Sequence, residues 1–388
     1  MNHAIVHYGE IGIKGKNRPL FEKKLVDNIR SSLSKDTYES IKRIYGRIIL
    51  ELKPEMDKDK VTEKLKTISG ISHFSFADKA ELNIEEIKSR LLEIAKNHKD
   101  KTFRISAKRA IKDFIYSSMQ LNEILGEYLV KELNMKVSLE KPEVPFFIEV
   151  TEKGAFIYTD KIRGFGGLPV GITGKLIALI SGGIDSPVAS WKMFKRGCSI
   201  TYIHFFNDTI NKQGVKDKIE KLVEILSKYQ FKTELYLIPF SDIQKEIIKV
   251  IPSRYRMITY RRVMFKIAEE ILKIEKALGF VTGDSLAQVA SQTLENVNVI
   301  YKAAKYPVFS PLIGEDKKDI IKLAEQIGTF NVSVMPYDDC CSFLIAEHPE
   351  TKARLEDIEK LEENLKINHL IKDAIKNAKN KTFMNKRI

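Results

Sequence analysis

The chain reads Leu176-Ile177-Ala178-Leu179-Ile180-Ser181-Gly182-Gly183-Ile184-Asp185-Ser186-Pro187, an apolar run that passes into a glycine loop and then into a helical pattern. Gly182 and Gly183 allow backbone N–H groups to approach an anion closely, and a following helix adds the positive end of its dipole. Pro187 suits a first helical turn, and Gly197 suits a helix end. The stretch predicts a phosphate-binding loop; the alternative is a strand–helix turn without a ligand.

The overall composition indicates a soluble, globular chain of 388 residues, long enough for two or three domains. No apolar run has the length of a membrane span and the N-terminus lacks a signal-peptide pattern, so we expect a cytoplasmic protein without membrane contact. The net charge of +13 fits a polyanionic partner such as nucleic acid, with a lysine-rich background as the alternative. Three cysteines without paired spacing predict neither disulfides nor a metal site.

The first segment has the ferredoxin-like order β-α-β-β-α-β. Its predicted elements are strand His3–Tyr8, helix Arg18–Leu33, strands Ser40–Ile44 and Arg47–Leu52, helix Lys58–Ile68 and strand Ile71–Phe76. The loop between the first strand and helix is basic, so we predict that Lys14, Lys16 and Arg18 contact RNA phosphates. A solvated loop without a ligand is the alternative.

The second segment is expected to be a small α/β unit. Its predicted elements are helices Ile84–His98 and Ser118–Leu133 and strands Phe146–Val150 and Ala155–Tyr158. Between the helices, basic side chains alternate with aromatic ones, a composition that fits phosphate contact and base stacking. The predicted RNA contacts are Arg104, Lys108, Arg109 and Lys112, and an ordinary solvated face is the alternative.

The third segment follows a glycine- and proline-rich linker at residues 163–171. Strand patterns at Leu176–Ile180, Ser199–Phe206, Thr233–Phe240 and Gly279–Thr282 alternate with helical ones, which predicts a doubly wound parallel sheet. Ligands of such sheets bind at the carboxyl ends of the strands, where the glycine loop, His204-Phe205 and Thr282-Gly283-Asp284 would meet. The lysine- and glutamate-rich stretch Leu355–Ile388 is predicted to be helical.

The loop Ser181–Ser186 resembles the pyrophosphate loop (PP-loop) of ATP pyrophosphatases. The lysine type of phosphate loop is excluded because Gly174-Lys175 is followed by Leu176 rather than by Ser or Thr. Over nearly its whole length the chain is similar to bacterial tRNA 4-thiouridine synthetases, also called tRNA sulfurtransferases. The stretches that carry the resemblance are Tyr8–Pro19, Gly166–Gly171, Thr282–Thr293 and Pro311–Lys317.

This resemblance implies an α/β and α+β multidomain architecture. The expected domains are a ferredoxin-like domain at 1–77, a THUMP RNA-binding domain at 78–165 and a PP-loop catalytic domain, of the adenine nucleotide alpha hydrolase type, at 173–388. Some members carry a further C-terminal rhodanese domain, which we expect this chain to lack.

The resemblance also implies which residues bind ATP. These are Leu179, Ile180, Ser181, Gly182, Gly183, Asp185, Ser186, His204, Phe205, Arg261, Gly283 and Gln292. From the residues alone, the alternatives are a helix surface for Arg261, a turn for Gly283 and a polar helix position for Gln292. His204 is expected to be a strand-end residue that contributes main-chain atoms rather than an acid or base.

Four residues match those that the family needs for chemistry. Asp185 would hold Mg²⁺ or orient phosphates, with a helix N-cap as the alternative, and Lys317 would neutralise the leaving pyrophosphate, with a surface charge as the alternative. Cys340 and Cys341 stand where the family places its sulfur-carrying cysteine, and the choice between them stays open with a slight preference for Cys340. Cys198 is expected to be a buried structural residue, with a resolving thiol as the alternative.

The expected function is ATP-dependent transfer of persulfide sulfur to uridine 8 of tRNA through an adenylated uridine. The implied partners are tRNA and a cysteine desulfurase, and a homodimer is left open. Members of the family also supply sulfur for the thiazole of thiamine. The alternative functions are an ATP pyrophosphatase that adenylates a small molecule and a non-catalytic tRNA-binding protein.

Overall fold

The structure, a computed structural model, describes residues 2–44, 46–207, 213–336 and 346–385. The chain divides into two compact units, the first ending at Pro169 and the second spanning Val170–Asn385. This division falls inside the glycine- and proline-rich stretch at residues 163–171. Within the described ranges no helix combines the length and the apolar character needed to cross a membrane.

The first unit begins with the predicted ferredoxin-like order. Its elements are β1 (His3–His7), α1 (Arg18–Ser32), β2 (Tyr38–Ile44), β3 (Arg47–Leu52), α2 (Lys58–Thr67), β4 (His73–Ala80), α3 (Ile84–Ala95), β5 (Phe103–Arg109), α4 (Ser118–Leu133), β6 (Val144–Thr151), β7 (Gly154–Tyr158) and β8 (Ile162–Arg163). Short 3-10 turns precede α1 and follow α3, so the predicted helix Ile84–His98 loses its α-helical geometry after Ala95.

The strands of the first unit form one continuous sheet in the order β2-β3-β1-β4-β7-β6-β5. Strand β4 joins its two halves, because it pairs with β1 along His3↔Ala77 to His7↔His73 and with β7 along Asp78↔Ile157 to Ala80↔Ala155. The strand is longer than the predicted Ile71–Phe76. A boundary at residue 77 therefore lies within a strand rather than within a linker.

Strand β5 occupies the basic stretch to which the sequence analysis assigned no element. Phe103, Ile105 and Ala107 are buried beneath α3 and α4, while Arg104 and Lys108 alternate with them on the other face. The strand pairs in parallel with β6 over its whole length. The two-residue period of these apolar side chains is the signal that identifies the strand.

The second unit is a doubly wound α/β fold, as predicted. Its elements are β9 (Lys175–Leu179), α5 (Asp185–Lys195), β10 (Ser199–Phe206), α6 (Gln213–Ser227), β11 (Lys232–Pro239), α7 (Ser241–Val250), α8 (Arg256–Glu275), β12 (Phe280–Val281), α9 (Leu294–Tyr301), β13 (Val308–Phe309), α10 (Lys317–Gln326), α11 (Phe330–Ser333), α12 (Leu355–Glu362), α13 (Asn368–Lys376) and β14 (Lys379–Met384).

The sheet of the second unit has the order β13-β12-β9-β10-β11-β14. Strands β9 to β13 pair in parallel, and the long helix α8 buries Ile258, Val263 and Ile267 in the core. The reversal of strand order on either side of β9 makes its carboxyl end the switch point at which ligands of such sheets bind.

The prediction of a helical C-terminus at Leu355–Ile388 is partly wrong. Helices α12 and α13 are present, but Lys379–Met384 forms strand β14, antiparallel to β11 at the sheet edge. Most of its side chains are exposed, so the strand lacks the apolar alternation by which strands are found in sequences. Residues 386–388 lie outside the described part of the chain.

A buried carboxylate connects the two halves of the first sheet. Glu149 on β6 lies 3.0 Å from His7 Nε2 on β1 and 2.8 Å from Arg47 Nη1 on β3. The hydroxyl of Tyr158 donates a hydrogen bond to the same carboxylate at 2.5 Å. Burial alone would raise the pKa of Glu149, but His7, Arg47 and Tyr158 outweigh it and hold the pKa at about 2.

We expect acid to destabilise this sheet in two steps. Burial, helped by the positive charges of His7 and Lys161, lowers the pKa of His73 to about 4 from 6.5, so the unfolded chain binds this proton more readily and stability falls as the pH drops from 6.5 to 4. The pKa of Glu149 is depressed from 4.5 to about 2, so its contribution is complete above pH 4.5 and is lost as the pH falls towards 2.

Hydrogen exchange of the β6 and β7 amides between pH 7 and pH 4, corrected for intrinsic rates, measures this loss. In the variant His73→Phe the fall between pH 6.5 and 4 should shrink, because Phe does not titrate. Phe can also keep the ring stacking on His7, whose centroid lies 4.4 Å away. Protection that stays constant or increases as the pH falls from 6.5 to 5 would contradict the expectation.

Candidate functional site

The glycine loop connects β9 to α5 and is closed by its own serines. The backbone N–H of Ser181 donates to Ser186 Oγ at 2.9 Å, and the N–H of Gly183 donates to Ser181 Oγ at 3.3 Å. A Cβ built on Gly183 would meet Ser181 Oγ at 3.5 Å, an ordinary contact. Packing within the loop therefore does not by itself require glycine at this position.

Next to the loop, a cavity of about 420 Å³ opens at the carboxyl ends of β9, β10 and β12. Its size suits a nucleotide-sized ligand. Most of the side chains predicted to bind ATP line it: Leu179, Ile180, Ser181, Asp185, Ser186, His204, Phe205, Arg261, Gly283 and Gln292. Gly182 and Gly183 belong to the loop at one end of the cavity.

Asp185 and Lys317 meet at the start of α5, although 132 residues separate them. Lys317 Nζ lies 2.6 Å from Asp185 Oδ1, and Gln288 Nε2 donates to Asp185 Oδ2 at 2.9 Å. The N-cap alternative for Asp185 is wrong, because Ile184 is the N-cap and no side chain caps the helix there. The ammonium of Lys317 is held at the loop by this ion pair, although its side chain is 41% exposed.

The acidic residues of the cavity do not form a complete metal cage. No group of three or more His, Cys, Asp or Glu side chains with metal-binding geometry occurs in the described part of the chain. Mg²⁺ is commonly held by one or two carboxylates together with phosphate oxygens and water. Asp185 fits that arrangement as a single carboxylate beside the phosphate loop.

His204 is a buried strand-end residue, as one of the two interpretations of the sequence had it. It is 2% exposed, and its Nδ1 lies 3.0 Å from the carbonyl oxygen of Ile180. The contact ties the end of β10 to the end of β9. The imidazole therefore shapes the cavity wall through its position on the sheet.

Arg261 and Gln292 share one partner that the sequence analysis did not select. Arg261 Nη2 lies 2.5 Å from Asp284 Oδ2, and Gln292 Nε2 donates to Asp284 Oδ1 at 3.1 Å. Asp284 directly follows Gly283 at the end of β12. Its position just beyond a strand end, three residues after Val281, is the signal that would have identified it.

A tight loop places Gln292 in the wall of the cavity and Gln288 against Asp185. The N–H of Ala287 donates to the carbonyl of Gln292 at 2.9 Å, and Ala287 adopts a left-handed conformation with φ +60°. A residue with a Cβ in this region costs about 1 kcal/mol or more, which the surrounding contacts must offset. Such backbone strain concentrates at functional sites, and no sequence pattern reveals it.

The predicted sulfur-carrying residues Cys340 and Cys341 lie outside the described residues. Cys198 is buried, its Sγ lies 3.3 Å from Thr173 Oγ1, and burial raises the pKa of its thiol. These properties fit the structural interpretation, because a raised pKa lowers the thiolate fraction that a resolving thiol needs.

A buried lysine holds the segment that precedes these cysteines in the sequence. The Nζ of Lys218, on α6, donates to the carbonyl oxygens of Ser333 at 2.9 Å and Met335 at 2.8 Å. Lys218 is 5% exposed, which is rare for lysine and is made possible by these partners. In the sequence Lys218 is one of several lysines in α6, so no pattern distinguishes it from the others.

In the first unit, the basic residues of the β1–α1 loop differ in how firmly they are held. Arg18 Nε lies 2.7 Å from Glu22, and Lys14 Nζ lies 3.0 Å from Glu10. Lys16 is exposed. Arg18 is thus part of the internal packing of α1, whereas Lys16 is the side chain of this loop best placed for an external phosphate.

Around β5, the arginines are similarly engaged and the lysines are exposed. Arg104 Nη1 donates to the carbonyl of Leu139 at 2.8 Å, and Arg109 Nη1 donates to the carbonyl of Phe114 at 3.0 Å. These bonds fix the neighbouring loops. The exposed members of the predicted RNA-binding set are Lys108 and Lys112.

A Ser-Gly-Gly-x-Asp-Ser loop at the switch point of a doubly wound sheet defines a PP-loop protein, here joined to a ferredoxin-like sheet. The chain belongs to the family described as Thiamine biosynthesis protein (ThiI), which it matches over residues 171–367. Residues 3–75 match the ThiI ferredoxin-like domain, and residues 81–160 match the THUMP domain.

Relatives cover nearly the whole chain. A probable tRNA sulfurtransferase of Thermoanaerobacter pseudethanolicus is 40% identical over 95% of this chain and 97% of the relative. That of Caldanaerobacter subterraneus is 41% identical over 93% of this chain and 94% of the relative. A crystal structure of a 4-thiouridine synthetase–RNA complex with bound ATP matches with a TM-score of 0.88, 34% identity, and coverage of 98% of this chain and 99% of that one.

We expect Gly283→Ala to disrupt the site. A Cβ on Gly283 would lie 2.7 Å from the backbone N of Ser186 and 2.9 Å from the carbonyl carbon of Asp185, so the start of α5 must shift. Overpacking of this kind costs about 1–3 kcal/mol of unfolding free energy. Calorimetric ATP titration should show at least a tenfold loss of affinity.

The matched control is Gly314→Ala, because a Cβ at Gly314 meets nothing within 4 Å. This variant should keep the melting temperature and ATP affinity of the unmodified protein. Equal melting temperatures and equal ATP affinities in the two variants would show that the contact between Gly283 and α5 does not determine the geometry of the site.

Proposed function

We propose that this protein uses ATP to transfer sulfur to uridine 8 of tRNA, forming 4-thiouridine. The observation that carries the proposal is the meeting of Asp185 and Lys317 at a PP-loop beside a nucleotide-sized cavity. The names of the relatives and the bound ATP and RNA of the similar crystal structure support it.

In this proposal the cavity holds ATP with its triphosphate on the loop. The backbone N–H of Gly182 and the N-terminus of α5 face the phosphates. Leu179, Ile180, His204 and Phe205 surround the adenosine. The remaining contacts to ATP would come from Arg261, Gly283 and Gln292. Asp185 together with the phosphates would hold Mg²⁺, which would offset the negative charge of the triphosphate.

The first chemical step makes the uridine oxygen replaceable. O4 of the uracil attacks the α-phosphorus, the bond from this phosphorus to the bridging oxygen breaks, and pyrophosphate leaves with the electron pair. Lys317 stabilises the charge that develops on the leaving group. Its present partner Asp185 keeps the ammonium at the loop before the substrate arrives.

The second step exchanges oxygen for sulfur. The terminal sulfur of a persulfide attacks C4, and AMP leaves with O4. A second thiol then attacks the inner sulfur, which breaks the S–S bond, releases 4-thiouridine and leaves a disulfide for a dithiol reductant to restore. We propose that Cys340 or Cys341 carries the persulfide, with a cysteine desulfurase as its source.

We assign tRNA binding to the first unit, with the proposed boundaries 1–77 and 78–165, and chemistry to residues 173–388. The exposed Lys16, Lys108 and Lys112 would contact phosphates, and uridine 8 must leave its stack to reach the α-phosphate. A cytoplasmic location follows from the substrate, and assembly as a homodimer stays a prediction.

Asp185→Asn is expected to lower tRNA thiolation at least a hundredfold, as loss of a charged group at a reacting phosphate usually does. The affinity for tRNA, measured by filter binding, should stay within twofold because Asp185 belongs to the second unit. Loss of tRNA binding in this variant would contradict the proposed division of labour.

ATP–pyrophosphate exchange distinguishes the proposal from adenylation of a small molecule. Stimulation by unmodified tRNA supports the proposed function. Exchange that ignores tRNA and responds to a carboxylate or another metabolite would overturn it.

For the first unit, the double variant Lys108→Ala with Lys112→Ala should weaken tRNA binding about tenfold at low salt. Its salt dependence should fall by about one unit for each phosphate that the protein no longer neutralises. The control is Lys60→Ala, an exposed lysine on α2 that lies 3.2 Å from Asp57. An unchanged salt slope in the double variant would exclude these lysines from the RNA interface.

A further inference from the structure

Asp284 is a buried carboxylate in the wall of the cavity and is 4% exposed. One oxygen, Oδ2, accepts from Arg261 at 2.5 Å and from the hydroxyl of Tyr301 at 2.6 Å. The other, Oδ1, accepts from Gln292 Nε2 at 3.1 Å. Two neighbouring side chains of the cavity wall, Arg261 and Gln292, are therefore oriented by this one carboxylate.

Neighbouring groups stabilise the ionised form of Asp284. Burial alone would raise the pKa of this carboxyl, but the Arg261 guanidinium and the hydrogen bonds from Tyr301, Arg261 and Thr282 bring it below its usual range. The Tyr301 hydroxyl is itself fixed from behind, 2.9 Å from Thr282 Oγ1 and 2.5 Å from Ser310 Oγ. The carboxylate is thus ionised and immobile.

The ionised state decides how the amide of Gln292 is turned. An ionised carboxylate only accepts hydrogen bonds, so the NH₂ group of Gln292 must face it. The amide oxygen then points the other way. Gln292 Oε1 is buried and has no hydrogen-bond partner among the described residues, although Gln292 lines the cavity. A buried acceptor without a partner is unfavourable, and a ligand that donates to it would satisfy it.

We propose that Asp284 is a positioning residue for the nucleotide: it locks Gln292 with Oε1 as an acceptor and Arg261 as a fixed cation, so that the cavity selects a nucleotide with a hydrogen-bond donor at this point. The inference rests on the proposed ATP site. The donors that ATP offers are the 6-amino group of adenine and the two ribose hydroxyls.

Asp284→Asn removes the lock while keeping the side-chain volume. An asparagine amide both donates and accepts, so Gln292 can turn over and present NH₂ to the cavity. The requirement for a donor on the nucleotide should then weaken. A change in selectivity between nucleotides is a result that a merely structural role for Asp284 would not produce.

The experiment measures dissociation constants by calorimetry for ATP, inosine triphosphate, 2′-deoxy-ATP and 3′-deoxy-ATP. In the unmodified protein, one analogue that lacks a donor should bind at least tenfold more weakly than ATP. In Asp284→Asn, ATP should bind at least tenfold more weakly, and the penalty for that same analogue should fall below threefold. Asp319→Asn, at an exposed carboxylate on α10 that pairs with Lys322, is the control and should behave as the unmodified protein.

Gln292→Met carries the test if Asp284→Asn fails to fold, because methionine keeps the length of the side chain without the acceptor; it should abolish the same penalty. Equal weakening of all four nucleotides in both variants would overturn the inference, as would an unmodified protein that binds all four alike. An unmodified protein that binds no nucleotide would instead overturn the proposed function itself.

Discussion

The geometry of the site depends on the close approach of Gly283 to the backbone where α5 begins. The end of β12 packs so tightly against Asp185 and Ser186 that a single added carbon would lie 2.7 Å from a backbone nitrogen. This contact sets the phosphate loop and the wall formed by Asp284, Arg261 and Gln292 at a fixed separation. In the proposed function a nucleotide would span both, so this one backbone contact would position its two ends.

Much of this site could be predicted because its parts are local. The loop, its strand and its helix are contiguous, and Thr282-Gly283-Asp284 follows a strand pattern. Asp284 was passed over as a functional residue because its importance comes from Arg261 and Tyr301, which are remote in sequence. Lys218 is a similar case, because the carbonyl oxygens to which it donates lie more than a hundred residues further along the chain. Partners of this kind become visible only when the chain is folded.

The fold shows the same distinction between local and remote information. Helix α4 occupies the predicted range Ser118–Leu133 because its stripe of leucines and its Ser117 capping box are written in consecutive residues. Strand β4 was predicted too short, because its second half pairs with β7, about 80 residues further on. Strand β5 was not predicted, although its apolar side chains alternate, because the lysines and arginines in and around it give the stretch the composition of a solvated basic loop. Over these residues the charged composition favours a loop, whereas the two-residue period favours a strand.

Strand β14 has a consequence for handling the protein. It covers the edge of β11, where Leu235 and Leu237 belong to a largely buried strand, and presents Lys379, Asn380 and Lys381 to solvent instead. An uncovered β11 would offer free backbone groups on an apolar strand, the kind of template on which sheets from separate molecules join. The polar strand β14 therefore opposes self-association through this sheet edge. Shortened versions that lack it are expected to precipitate even where the catalytic residues are intact.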